Sequence, residues 1–327
     1  MQQYKRLNNI LGWMVFVLAS TVFIITSEPT MSYWDCGEYI STSYKLEVGH
    51  APGAPLFQML GRFFSLFAFG DKSMVARMVN TMSALSSGFT ILFLFWSITM
   101  LARKIVQRNE EMTKAKMHLI FAAGLIGSLA YTFTDSFWFS AVEGEVYAMS
   151  AFFTAVVFWA MLKWEEHADE SHNYRWLILI AYLMGLSIGV HMLNLLTIPA
   201  MTMIWYFKKS KNPSLKGILL ALVVSVLILG IVMSVIIPWV LKLAAWFEFF
   251  SVNSLKLPFN VGTIIFFVIL IASIVIGLRY SAGRMKPVIN AIILAFSFIL
   301  IGYSSFFMLV SKIHDSSYKF LLIKNKS

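Results

Sequence analysis

The chain has 327 residues, 59% of them hydrophobic and 13% charged, with a mean hydropathy of +0.75 and a formal net charge of +10. No water-soluble domain covers that much apolar surface, so the composition is that of a polytopic membrane protein. Its single cysteine, Cys36, excludes an intrachain disulfide and a thiolate zinc cluster.

Lys5 and Arg6 precede the first apolar run, Ile10 to Thr26, which is long enough to cross roughly 30 Å of hydrocarbon. Ser27-Glu28-Pro29 lacks the small-x-small pattern of a signal-peptidase site, which predicts a retained transmembrane helix stopped by Pro29. The long connection that follows, residues 28–72, is where function is expected. It opens with Tyr33-Trp34-Asp35-Cys36-Gly37-Glu38-Tyr39. Asp35 and Glu38, at i and i+3, share a face if the segment is helical. Beyond Lys45, the stretch His50-Ala51-Pro52-Gly53-Ala54-Pro55 is a turn-rich break. Gln58, Arg62 and Ser65 then fall at i, i+4 and i+7 among apolar residues, which predicts an amphipathic helix lying on the membrane surface, with Arg62 reaching for headgroups.

Further spans are predicted at 74–102, 118–135, 146–163, 176–190, 193–207, 217–240, 260–279 and 287–310, making roughly nine with 9–27. Arg77 opens the second span with Asn80, Ala84 and Ser87 along one face, so it is expected to point into the bundle. A salt bridge to Asp71 or Glu143 is the plain alternative to an anion-binding role. Glu143 and Glu145 lie between the third and fourth spans, and at i and i+2 at most one of them should face a shared cavity. Splitting the next apolar stretch at His191 to Asn194 returns Lys208, Lys209 and Lys211 to the N-terminal side. With the N-terminus cytoplasmic, the basic excess collects on that side. The positive charge is then topological, with membrane lipids rather than nucleic acid as its partner. Asp35, Glu38, His50, Glu143, Glu145 and His191 all map to the exterior face.

The runs WDCGEYI, HAPGAPLFQMLGR, ARMVNTMSAL, FSAVEGEVYAM and GLSIGVHMLNLLTIPAM together carry a resemblance. The chain resembles the GT-C superfold of polyprenyl-phosphate-sugar-dependent glycosyltransferases. More narrowly, it resembles a bacterial multipass family related to the animal transmembrane protein O-mannosyltransferase, over residues 10–305. The resemblance implies an all-α, GT-C-like bundle over residues 1–310 and mannose transfer to a hydroxyl of an exported protein, in a bacterial cytoplasmic membrane. Residues 311–327 depart from the family's continuation, which leaves a short form, a fragment or an inactive truncated remnant as alternatives.

Moving a sugar from a phospholipid carrier to a hydroxyl needs a base for the acceptor proton and donors or cations for the leaving phosphate. Asp35 is the candidate base, supported by Glu38. Glu143, Glu145, His50, His191 and Asn194 are candidate positioning residues, and Arg77 and Lys45 candidate phosphate ligands. Solvated interfacial acids and satisfied structural histidines are the plain readings of the same residues. No cofactor is expected. Asp35 with Glu143 and Glu145 could take magnesium or manganese, whereas the resemblance implies metal-independent catalysis. A transporter or flippase, the main alternative, would place its polar groups near the bilayer midplane.

Overall fold

The computed structural model describes residues 2–108, 110–170 and 173–306, and every regular element among them is helical. The expected tail 311–327 and the end of the span 287–310 lie outside the described residues. The chain divides into two compact units.

The first unit comprises Met1–Lys163, Tyr182–Asn194 and Ile301–Ser327. Its long helices are α1 (Gln2–Thr26), α4 (Val75–Gln107), α5 (Lys114–Thr132) and α7 (Val146–His167), with the short α2 (Cys36–Lys45), α3 (Pro55–Ser65) and α6 (Asp135–Ala141) between them. Helices α1 and α4 approach closely because Gly88 leaves room for Ser20, so that Val15, Ala19 and Phe23 bury against Ala84, Ile91 and Phe95. Helix α5 starts where Thr113 Oγ1 accepts the Lys116 N–H at 3.3 Å. Helices α2 and α3 meet at Gly61, where a Cβ would stand 2.6 Å from Ser43 Oγ.

The 11 residues of α3 rise only about 16 Å, too short to span a bilayer. Its polar stripe is turned inward: Gln58 and Ser65 are buried, while Met59, Phe63, Leu66 and Phe67 are exposed. An interfacial helix with protein on one side and lipid on the other favours that orientation. Arg62 therefore does not reach outward as expected. Its Nη1 donates to Tyr44 O at 2.7 Å, at the carbonyl-rich end of α2, and its guanidinium lies over the Tyr44 ring.

The second unit comprises Trp164–Ala181 and Leu195–Leu300. It contains the first half of α8 (Tyr174–Ile188), then α9 (Ile198–Lys209), α10 (Leu215–Ile231), α11 (Ile237–Asn253), α12 (Val261–Gly283) and α13 (Pro287–Tyr303) as far as Leu300. Lys208 pairs with Asp169 at 2.8 Å. The carboxylate of Glu248 accepts from the backbone N–H groups of Asn260 (2.6 Å) and Thr263 (2.9 Å), supplying partners for the first turn of α12.

Among the described residues, six helices are long and apolar enough to cross a membrane, and α8 and α13 are shorter apolar helices. The expected break between α8 and α9 is present as a 3-10 segment, Met192–Thr197. The span expected at 217–240 instead runs on as one 39-residue helical stretch, Leu215–Asn253. Pro238 lacks an N–H and its ring crowds the carbonyl one turn back, yet the helix accommodates it through a π-turn over Val232–Ile236 instead of stopping.

Candidate active site

Three backbone links assemble the site inside the first unit. Asn80, fully buried on α4, donates through Nδ2 to Glu28 O (2.7 Å) and Thr30 O (2.9 Å), holding the start of the long connection. Glu28 N donates to Val142 O at 3.0 Å, which ties that segment to the turn carrying the two later acids. Gly144 allows the turn to seat: a Cβ there would stand 2.8 Å from Asn80 Oδ1 and 3.1 Å from Ile40 and Val79 side chains. Leu56 N donates to Gly189 O at 2.8 Å, joining the start of α3 to the turn that leads to His191.

Asp35 is the N-cap residue of α2, but its side chain makes no capping bond and is left available. One turn on, Glu38 lies on the same face. Both reach His50, which is brought back by the left-handed residue Leu46 at the end of α2. Glu38 Oε1 accepts the His50 backbone N–H at 2.6 Å and Oε2 lies 3.1 Å from Nδ1, while Nε2 stands 3.8 Å from Asp35 Oδ2. The His50 N–H bonds hold the Glu38 carboxyl below the usual carboxylate range. One donor atom from each of Asp35, Glu38 and His50 lies within 4.8 Å of the others, so these three residues could hold a cation.

These groups open into a pocket of about 160 Å³ lined by Asp35, Tyr39, His50, Glu145, Tyr147 and His191, among others. Glu145 is only 5% exposed. Burial, then repulsion from Glu143 and Asp35, pushes its carboxyl up to about 7. Burial likewise raises Glu143, and it pushes the Tyr39 phenol up to about 12, so Tyr39 stays protonated. Burial lowers His191. His191 Nδ1 accepts the Leu193 N–H at 3.2 Å, so in the neutral ring the proton sits on Nε2. No Lys or Arg is among the described residues that line the pocket.

A second, larger cavity of about 730 Å³ lies between α4, α5, α6 and α7. Its wall is mostly apolar, with Leu94, Ile98, Leu101, Phe137, Ala151 and Phe158 on the helices, and Leu193 also lines it. Tyr147, in the first turn of α7, lines both cavities.

Asp35, Glu38, His50, Glu145 and His191 are thus brought together from four separate stretches of sequence. Glu143 and Glu145 part: Glu145 lines the pocket, whereas Glu143 is buried outside that lining and bonds the Ser32 side chain. The carboxylates therefore do not group as Asp35 with both Glu143 and Glu145. Asn194 also lies outside the pocket lining, fully buried, with Nδ2 donating to Ser187 Oγ at 2.9 Å across the break that follows α8. Lys45 sits at the far end of α2, about 15 Å from Asp35 by helical rise, and faces Glu47 at 4.0 Å. Arg77 is exposed and pairs with neither Asp71 nor Glu143. At its level α4 packs through Val75 and Val79 on the opposite face, with Ala76 and Met78 beside them, and burial reaches its own side from Asn80 onward. Sequence reasoning missed Tyr39 and Tyr147. Each follows an acid of the site, by four and two residues, and that proximity was the available signal.

The family model of the protein O-mannosyl-transferase TMEM260 N-terminal domain matches residues 35–214, more than half of the chain. Among curated relatives, the protein O-mannosyl-transferase tmem260 of Dictyostelium discoideum is 25% identical over 144 residues, covering 44% of this chain and 16% of that protein. Protein O-mannosyl-transferase TMEM260 of Mus musculus is 25% identical over 175 residues, covering 53% of this chain and 22% of its own length. The matched stretch thus spans about a fifth of the curated relatives. No solved structure matches the chain. The matched residues begin at Asp35 and include Glu38, His50, Glu145, Tyr147 and His191, and the chain belongs to the family of the protein O-mannosyl-transferase TMEM260 N-terminal domain.

Proposed function

We propose that the chain is a membrane glycosyltransferase moving a mannosyl group from a polyprenyl-phosphate carrier to a hydroxyl of an exported protein. The observation that carries this reading is that Tyr147 lines both a pocket holding the Asp35 and Glu145 carboxylates and a larger apolar cavity between α4, α5, α6 and α7. A donor with a hydrocarbon tail and a polar sugar-phosphate head needs those two environments side by side. The names of the curated relatives supply the sugar and the acceptor class.

Asp35 is the general base. The acceptor oxygen forms its bond to the anomeric carbon as the carbon–oxygen bond to phosphate breaks. The hydroxyl proton goes to the Asp35 carboxylate, and the bonding pair leaves with the phosphate oxygen. A single displacement inverts the anomeric centre and needs no second carboxylate as leaving-group acid. Glu38 holds His50, and His50 in turn flanks Asp35. The N-terminus lies in the cytoplasm of a bacterial cell and the pocket on the exterior face of its cytoplasmic membrane, a topology drawn from the distribution of Lys and Arg.

The test is to incubate the purified full chain in lipid with radiolabelled polyprenyl-phosphate-mannose and a panel of exported proteins. Label transferred to protein supports the reading. Intact donor binding with no transfer to any acceptor sinks it in favour of an inactive form or a carrier of the lipid-linked substrate.

A further inference from the structure

From the placement of Tyr147 and His191 we infer that these two residues form an uncharged cradle for the phosphate of a lipid-linked ligand whose hydrocarbon chain lies in the larger cavity. The inference rests on the donor reading above and adds the groups that hold its phosphate.

Tyr147 belongs to the walls of both cavities. The segment that carries His191 does the same in sequence: His191 and Met192 line the pocket, and Leu193 lines the apolar cavity. The two rings are in contact, tilted to one another, with centroids 5.6 Å apart. A ligand with its chain among Leu94, Ile98 and Phe158 reaches Asp35 by way of Tyr147, which lines both cavities, and of His191 in contact with it, so the charged link between chain and sugar falls alongside these two rings.

Phosphate oxygens at that point need donors, and neither Lys nor Arg is among the described residues lining the pocket. Both rings can donate. His191 is oriented by Leu193 N–H on Nδ1, which leaves the Nε2 proton for a ligand. Tyr147 supplies a hydroxyl. Neutral donors also suit the surroundings, because Lys or Arg here would pair with Asp35 and Glu145 and remove the base from service. The arrangement departs from the sequence expectation that Arg77 and Lys45 meet the phosphate, since neither reaches the pocket.

The experiment measures binding of farnesyl phosphate, farnesol and inorganic phosphate to the full chain in nanodiscs. The wild type is expected to bind farnesyl phosphate more tightly than farnesol, with inorganic phosphate failing to compete at equal concentration. Tyr147→Phe and His191→Leu should each weaken farnesyl phosphate about tenfold, the loss of one hydrogen bond to a charged group, and leave farnesol unchanged. His191→Gln, which keeps a side-chain N–H, should recover part of that loss. Wild-type binding with no response to either substitution overturns the cradle and leaves the donor reading intact. Equal losses for farnesyl phosphate and farnesol overturn it too, by making both rings packing groups. Competition by inorganic phosphate alone would identify a general anion site instead. A wild type that binds no farnesyl phosphate sinks both the cradle and the lipid-linked donor.

Discussion

Replacing Glu145 by Gln separates the electrostatic cost of this pocket from its shape. Gln keeps the oxygen that accepts the Asp35 backbone N–H and has nearly the same volume, but it carries no charge. Moving the carboxyl from its ordinary 4.5 to about 7 corresponds to about 3 kcal/mol between its two protonation states. The sign follows from which state holds the proton. The folded chain binds it more tightly than the unfolded chain, so protonation favours folding below about 4.5. That advantage is lost as the pH rises from about 4.5 to about 7, and above about 7 the wild type bears the whole penalty. Glu145→Gln escapes it. Thermal unfolding of both proteins in the same detergent, scanned from pH 4 to 9, should give nearly equal midpoints at the acid end. Above pH 8 the variant should be higher by about 5 °C. Parallel profiles across the whole range would falsify the burial and repulsion assigned to this carboxylate.

Asp35→Asn should lower transfer by about two to four powers of ten while leaving farnesyl phosphate binding in place. Undiminished transfer in that variant would move the base to Glu145. EDTA should leave the rate of the wild type unchanged. A rate that collapses on chelation and returns with manganese would assign Asp35, Glu38 and His50 to a required cation instead. Cys36 is fully buried, and burial raises its thiol, so a membrane-impermeant maleimide should leave the folded chain unlabelled. Tyr33, 79% exposed, offers the better reporter. In a Cys36→Ser background, Tyr33→Cys should label from outside intact spheroplasts, and labelling only after lysis reverses the topology.

The single stretch of sequence determined much of this protein. Its apolar runs fixed the membrane class, because no other solvent accepts so many exposed Leu, Ile, Val and Phe side chains. Pro29, Pro55 and the His191 to Asn194 break set helix ends through local backbone chemistry, which a sequence displays directly. The i, i+3 spacing of Asp35 and Glu38 likewise placed both on one face of α2. Where helix ends depend on neighbours, sequence was a poorer guide: Pro238 is absorbed by a π-turn within a helix that continues to Asn253. Which charged groups meet was decided only by tertiary structure. Arg77 and Lys45 had the right sign for a phosphate, but the packing of α4 at Val75 and Val79 and the length of α2 keep them from the pocket. Glu145 and His191 lie in segments far apart along the chain from Asp35, and no local pattern records that they meet. Asn80 on Glu28 and Thr30, Glu28 on Val142, and Leu56 on Gly189 close the long loops that join them. Glu145 has its raised pKa for the same reason, since desolvation and the Asp35 charge reach it only across those closed loops.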